Sequence, residues 1–168
     1  FPCPRFDSHS VFSRILDEEK GGFFELRPLD NFQLNSAYIG NTTAIQNLFS
    51  TSQGKLKVID FLPLGLPAII RIFDSEIPFL VGVKPVFETG LINPGIEIKD
   101  KGIIYRNNNS KEGLELFIEG NFVIETPSRI FMNKGKGYLF LLYTRDLRYG
   151  LFSNKSFVYP DPYEAFQV

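Results

Sequence analysis

The amino-acid sequence predicts an all-β protein folded as an antiparallel sandwich of two sheets. Short runs rich in β-branched and aromatic residues recur along most of the chain. Polar segments that end in Gly, such as KDKG and NNNSKEG, separate several of them, and only one stretch has helical spacing. About twelve short strands without intervening helices pair antiparallel, and this number favours a large two-sheet sandwich over one of immunoglobulin size.

The one predicted helix is short, lies near the N-terminus and covers SHSVFSRILDEEKGG. Ser8 or Ser10 can cap its start, and Gly21 ends it. A helix of two turns is marginal in isolation, so packing of its apolar residues must hold it. Those residues are Val11, Phe12, Ile15 and Leu16.

Strand chemistry occupies nearly all of the chain that follows. In KLKVIDF, alternation places Leu56, Val58 and then Asp60 on one face. The link STSQGK has the Gly that a short hairpin loop requires. The predicted strands are Phe23–Arg27, Phe32–Ile39, Ala44–Thr51, Lys55–Phe61, Ala68–Phe73, Phe79–Val86, Ile96–Ile98, Gly102–Arg106, Leu114–Glu119, Phe122–Glu125, Arg129–Asn133 and Tyr138–Thr144.

The length of 168 residues predicts one domain, with the sandwich over residues 1–145. From Asp146 the strand pattern ends. Residues 146–168 are aromatic and Pro-rich without periodicity, and they predict a tail that wraps the sandwich or leads to a further part of the molecule.

Composition excludes several functions. The net charge is −1 and the Lys and Arg residues are scattered, so the sequence predicts no basic surface for binding nucleic acid. The apolar run Phe61–Ile72 is interrupted by Pro63, Pro67 and Arg71, so it cannot span a membrane. No Gly-rich phosphate loop precedes a helix, and no cofactor is predicted. A single Cys excludes an intrachain disulfide and slightly favours a reducing compartment, which predicts the cytoplasm.

The residues alone identify no catalytic group and no metal ligand set. The only Cys, Cys3, and the only His, His9, could form a nucleophile–base pair, but the favoured interpretation is a core thiol and an imidazole near a helix cap. One Cys and one His do not make a zinc site. Asp60 and Arg71 interrupt apolar strands, where an unpaired charge is costly, so we expect both to be paired and structural.

Several motifs resemble the prokaryotic branch of glycoside hydrolase family 15, which holds glucoamylases, glucodextranases and trehalases. The opening CPRFDSHSVFSRILDEEKGG resembles the Pro-Arg-Phe-Asp-Ser segment near the start of that family, with its Gly-Gly exit. TTAIQNLFST and GKLKVIDFLP are similar to its Thr-Asn-Val-Leu-x-Thr and Gly-x-Val-x-Val-x-Asp-Phe-Met-Pro segments. Motifs carry the likeness over residues 1–90, and only the strand pattern carries it over residues 91–145.

The resemblance implies a β-supersandwich, like the fold of galactose mutarotase, packed on an (α/α)6 barrel. In that family the barrel carries both catalytic glutamates, and nothing in this chain matches them. The family's first strands also have no counterpart here. The chain is therefore expected to be a non-catalytic N-terminal domain of an inverting, exo-acting α-glucosidase type of enzyme, with residues 146–168 leading to the barrel.

The expected partners are the barrel of the same parent chain and, through it, α-glucan or trehalose. Two alternatives stay open. One is an independent carbohydrate-binding β-sandwich module, and the other is an unrelated β-domain with an accidental likeness.

Arg5 and Asp7 flank Phe6 in the opening segment. Two roles are open for this charged pair. It can clamp the turn through an ion pair and backbone hydrogen bonds, which is the favoured interpretation, or it can present one charge towards the substrate entrance of the barrel. Phe6 would point the other way and anchor the turn in the core.

Overall fold

The computed structural model describes residues 10–152 and shows an all-β fold. All twelve predicted strands are present, with ends that differ from the predicted ones by a few residues at most. In chain order they are β1 (Phe23–Pro28), β2 (Gln33–Tyr38), β3 (Ile45–Ser50), β4 (Lys55–Phe61), β5 (Ala68–Ser75), β6 (Phe79–Lys84), β7 (Gly95–Lys99), β8 (Gly102–Arg106), β9 (Gly113–Glu119), β10 (Phe122–Thr126), β11 (Arg129–Met132) and β12 (Gly135–Thr144).

The strands form two antiparallel sheets, as the sequence predicts. The small sheet has four strands in the order β1-β6-β11-β10, and the large sheet has eight in the order β2-β3-β4-β5-β12-β9-β8-β7. Short 3₁₀ turns occur at Glu88–Gly90 and Leu147–Tyr149. None of the helical segments between residues 10 and 152 has the length and hydrophobicity needed to cross a membrane.

The main core lies between the two sheets. Leu56 and Val58 of β4 are buried in it, which confirms the alternation expected for KLKVIDF. Phe73 of β5 meets Phe79 of β6 edge to face, with ring centroids 5.1 Å apart. Burying one such side chain stabilises the fold by about 1.5–3 kcal/mol, so this layer is the principal source of stability.

The large sheet is apolar on its outer face as well. Ile70 and Ile72 of β5 and Phe140 of β12 are buried there, in a second cluster that also contains Leu142 and Leu151. The central strands of the large sheet are therefore covered on both sides, which accounts for their nearly continuous apolar sequences.

The predicted N-terminal helix is wrong for the part of it that the structure describes. Residues 13–21 form successive turns, in which the Leu16 N–H donates to Ser13 O and the Gly21 N–H donates to Asp17 O. Val11 is buried in the core and Phe12 packs against it, but Ile15 and Leu16 are exposed, so the second half of the apolar stripe does not hold a helix in place. The Asp17 carboxylate also accepts hydrogen bonds from nearby backbone N–H groups, a local alternative to helix formation.

The start of the predicted tail packs on the sandwich. Leu147 and Leu151 are buried, and the Asp146 carboxylate accepts a hydrogen bond from the Arg148 N–H at the 3₁₀ turn. Residues 146–152 thus extend the folded unit beyond the expected end of the strand pattern. A domain boundary at residue 145 and a linker role for residues 146–168 stay predictions.

Candidate functional site

A row of polar side chains crosses four neighbouring strands of the large sheet. Ser36 of β2 lies opposite Asn47 of β3, and Asp60 of β4 lies opposite Arg71 of β5. The alternation of each strand places these four residues on the face that packs towards the small sheet, the same face as Val58. We call Ser36, Asn47, Asp60 and Arg71 the polar row.

The polar row is a continuous set of contacts that ends on the small sheet. The Ser36 hydroxyl donates to Asn47 Oδ1 at 2.6 Å, and Asn47 Nδ2 donates to Asp60 Oδ2 at 3.0 Å. Arg71 Nε lies 3.2 Å from Asp60 Oδ1, and Arg71 Nη1 donates to the carbonyl oxygen of Phe24 in β1 at 2.9 Å. The guanidinium also lies 4.2 Å from the centroid of the Phe24 ring. Arg71 therefore joins the two sheets.

Electrostatics within the polar row are shaped by burial. Asp60 Oδ1 and Arg71 Nε are close enough for an ion pair, but neither atom makes a hydrogen bond of regular geometry within the described residues. Burial raises the pKa of the Asp60 carboxyl, while the Arg71 charge and the Asn47 amide oppose that rise. Burial likewise lowers the pKa of the Arg71 guanidinium, and the Asp60 charge opposes that fall.

The polar row does not have the arrangement of a glycoside-cleaving site. Glycoside hydrolysis uses two carboxyl groups that face each other across the scissile bond. Within residues 10–152, the polar contacts of Asp60 are with an amide and a guanidinium, and neither is a carboxyl. The arrangement suits the joining of strands and sheets.

A second polar cluster surrounds Glu115 on the outer face of the large sheet. This carboxylate is fully buried, and it accepts hydrogen bonds from the Thr144 hydroxyl at 2.8 Å, the Leu151 N–H at 2.9 Å and the Phe152 N–H at 3.1 Å. A Cβ atom on Gly150 would lie 2.0 Å from Glu115 Oε2, so only Gly allows this close approach. Glu115 therefore fixes residues 150–152 against β9.

Sequence reasoning missed the Glu115 cluster. In GLELFIE, Glu115 and Glu119 alternate with buried leucines, a pattern that predicts solvent exposure for both. The partners of Glu115 lie 29 to 37 residues further along the chain, so the local sequence does not predict these contacts.

The structure brings together Asp60 and Arg71, two of the site residues expected from the sequence. The others, Arg5, Phe6 and Asp7, lie outside the described residues, as do Cys3 and His9. Between residues 10 and 152, no group of three or more His, Cys, Asp or Glu side chains could hold a metal ion.

Comparison with known proteins gives partial matches to trehalases. The chain is 54% identical over 166 residues, or 99% of its length, to Trehalase 2 of Sulfolobus acidocaldarius, and covers 28% of that protein. It is 36% identical over 148 residues to Trehalase 1 of the same organism, a match of 88% of this chain and 25% of that protein. With the trehalase of Thermoplasma volcanium it shares 31% identity over 144 residues, or 77% of this chain and 22% of that protein.

The similarity is to part of a trehalase. This chain spans about a quarter of the length of each of these curated relatives. No family model matches the sequence.

Proposed function

We propose that this chain is the non-catalytic N-terminal β-sandwich domain of a trehalase-like glycoside hydrolase, and that it supports the catalytic barrel of the same polypeptide. The observation that carries the proposal is the match at 54% identity along 99% of this chain to a protein named trehalase, of which the chain covers only 28%. A match of that kind is what a domain shared with a longer enzyme produces.

The side-chain contacts favour a scaffold role. The polar clusters around Asp60 and around Glu115 both have their partners within the domain itself. Asp60 acts on the junction between the sheets, and Glu115 acts on the segment that follows the last strand. Within residues 10–152, neither of these carboxylates is arranged opposite a second one, which supports a source of the catalytic acids elsewhere in the parent enzyme.

The proposed family and mechanism of the parent enzyme rest on the sequence motifs. The PRFDS and DFLP segments support membership of glycoside hydrolase family 15, whose barrel supplies the catalytic glutamates and an inverting, exo-acting mechanism. The names of the relatives favour trehalose over α-glucan as the substrate of the parent enzyme. A cytoplasmic location, and a contribution of Arg5 or Asp7 to the substrate entrance, are part of the same proposal.

Glucose release from trehalose tests the non-catalytic role. We expect the parent enzyme to release glucose and the purified 168-residue chain to release none, because the chain has no matched catalytic acid. Maltose and starch, offered to the same two proteins, separate a trehalase from a glucoamylase. Glucose release by the purified chain that disappears when one of its own acids is replaced would contradict the proposal.

A cleft on the outer face of the large sheet favours a second candidate, an independent carbohydrate-binding module. The cleft has a volume of about 530 Å³ and is lined by Tyr138, Phe152, Lys101 and Glu119, beside Phe117. Aromatic rings next to charged side chains can bind sugars, but the Phe117 ring is buried and offers no face for stacking. Calorimetric titration of the chain with trehalose and maltose tests this candidate. Saturable binding in the absence of a barrel would favour it over a scaffold role.

A further inference from the structure

The two sheets of the described residues end in four edge strands. The small sheet ends in β1 and β10, and the large sheet ends in β2 and β7. An edge strand presents unpaired backbone N–H and C=O groups that can pair with another chain, and proteins commonly prevent this with charged side chains. The distribution of charged side chains on these four strands therefore indicates which edges stay exposed to solvent.

Three of the edges carry charges that are held in ion pairs. On β1, Glu25 Oε2 lies 2.8 Å from Arg14 Nη1. On β7, Glu97 Oε2 lies 2.5 Å from Arg106 Nη2. On β10, Glu125 Oε2 lies 2.7 Å from Arg129 Nε. These three edges have the features of permanently solvent-facing strands.

The fourth edge, β2, has no such protection. All six of its residues are exposed, and their sequence, QLNSAY, contains no charge. No Asp, Glu, Lys, Arg or His occurs anywhere from residue 31 to residue 54, although 22% of the whole chain is charged. Leu34 and Tyr38 are 53% and 69% exposed on the side that faces towards the small sheet, so the small sheet does not cover this end of the large one.

A second uncharged segment lies at the same end of the large sheet. The strand pairing aligns Tyr38 with Ile45 and Ile45 with Asp60, so β2 and β4 end at the same end of the sheet, with β3 between them, and the loop after β4 emerges at that end. That loop, LPLGLP over residues 62–67, contains three leucines and no charge. All three leucines are exposed, and Leu64 has no contact that reduces its exposure, which is 103%.

We propose that these two segments, residues 33–38 and 62–67, form the surface on which the catalytic part of the parent polypeptide docks. We call them together the neutral edge. The inference rests on the proposed function, and it names the surface through which the domain would support the barrel. The related trehalase, of which this chain covers 28%, contains far more polypeptide than the sandwich, and that remainder requires a contact surface. Uncharged, apolar and hydrogen-bonding surfaces are typical of permanent interfaces.

The polar row supports this assignment because it begins on the neutral edge. Ser36 of β2 is the first member of the row, and its contacts lead through Asn47 and Asp60 to Arg71 and the small sheet. An edge strand fixed in this way presents a defined surface to a docking partner. A disordered edge would have to be ordered on docking, at a cost in conformational entropy.

Hydrogen–deuterium exchange of the parent enzyme tests the neutral edge. We expect the amides of β2 to be protected at least ~10-fold more strongly in the parent enzyme than in the 168-residue chain. The edge strands β7 and β10 serve as references, and their protection should be the same in both proteins. Equal protection of β2 in the two proteins would overturn the proposal.

A pair of matched substitutions in the parent enzyme gives a second readout. Leu34 on β2 and Val123 on β10 are 53% and 55% exposed, and both lie on edge strands. We expect Leu34→Lys to lower the Tm of the parent enzyme by several degrees and Val123→Lys to leave it within about 1 °C. Leu64→Lys, in a loop position without contacts, should act like Leu34→Lys. Equal effects at positions 34 and 123 would contradict the docking surface.

The outcomes separate this inference from the proposed function. A parent enzyme that hydrolyses trehalose, but leaves β2 as unprotected as it is in the 168-residue chain, overturns the neutral edge alone. A parent protein without glycoside hydrolase activity overturns the proposed function. Protection of β2 in the 168-residue chain that rises with its concentration would show that the edge pairs two copies, and this result would also overturn the proposal.

Discussion

At the scale of single residues, Arg71 is the side chain that most directly joins the two sheets. Its guanidinium contacts Asp60 on the neighbouring strand, the backbone carbonyl of Phe24 on the other sheet and the face of the Phe24 ring. An Arg offers several donors and a flat face at once, so it suits this position better than Lys.

Replacement of Asp60 tests that role. Asp60→Ala leaves the largely buried guanidinium of Arg71 without its carboxylate partner, and the Asn47 amide N–H without its acceptor. We expect the free energy of unfolding to fall by about 1–3 kcal/mol, and the Tm to fall by about 2–4 °C for each kcal/mol in a chain of this size. Thermal denaturation of the 168-residue chain measures the change.

Asp74 provides the matched control, since it lies on β5 and pairs with Lys136 at 3.1 Å, but with half of its side chain exposed. Asp74→Ala should change stability by less than about 1 kcal/mol, as is usual for surface ion pairs. If Asp60→Ala were no more destabilising than Asp74→Ala, the structural role of the polar row would be wrong.

The sequence predicted the charged half of the polar row but not the neutral half. Asp60 and Arg71 are conspicuous because each interrupts an apolar strand. Pairing with an opposite charge lowers the free-energy cost of burying a charged side chain. Ser36 lies in an exposed strand and Asn47 in a half-buried one, where polar residues are unremarkable, and only the strand register places Asn47 diagonally beside Asp60. Register depends on long-range pairing, which local sequence does not specify.

At the scale of elements, the strands and the short turns between them were predictable, whereas the segments at residues 13–21 and 146–152 were not. Alternation and Gly-containing turns are local signals, and all twelve strands follow them. The stretch at residues 13–21 has helical spacing, but no surface is available to bury Ile15 and Leu16. The packing of residues 146–152 depends on Glu115, which lies in a strand more than thirty residues earlier. In both segments the observed structure depends on tertiary contacts that the local sequence does not show.

Glu115 therefore controls a whole element, and its removal should release that element. Glu115→Ala leaves the N–H groups of Leu151 and Phe152 without their acceptor, at a cost of about 1–3 kcal/mol for each group that stays buried. We expect trypsin to cleave after Arg145 and Arg148 at least ~10-fold faster in the variant, because local opening exposes the backbone. Limited proteolysis followed by mass spectrometry measures this rate.

Two further variants complete the test of the Glu115 cluster. Glu115→Gln keeps the shape of the side chain but offers one oxygen acceptor in place of two, and it should lie between the wild type and Glu115→Ala in cleavage rate. Glu119→Ala removes a half-exposed carboxylate of the same strand and the same face, which pairs with Lys101 at 3.4 Å, and should leave the rate unchanged. Equal cleavage in Glu119→Ala and Glu115→Ala would contradict the specific role of Glu115.

At the scale of the whole molecule, the sandwich is asymmetric. The large sheet has twice as many strands as the small one, and its β2 end extends beyond the cover that the small sheet provides. Charges protect the other three edges, while the β2 edge is neutral. A domain with one unprotected flank fits the proposed role as a support for a larger catalytic part, and the fraction of each related trehalase that the chain covers is consistent with that role.

We propose that this domain supports the catalytic part of the parent enzyme. The most direct measurement compares the rate of trehalose hydrolysis by the parent enzyme with that by the same enzyme lacking residues 1–168. We expect the truncated enzyme to lose most of its activity and thermal stability, because its catalytic part would lose the support that we propose for this domain. A truncated enzyme with the kcat/KM and Tm of the parent enzyme would contradict the account.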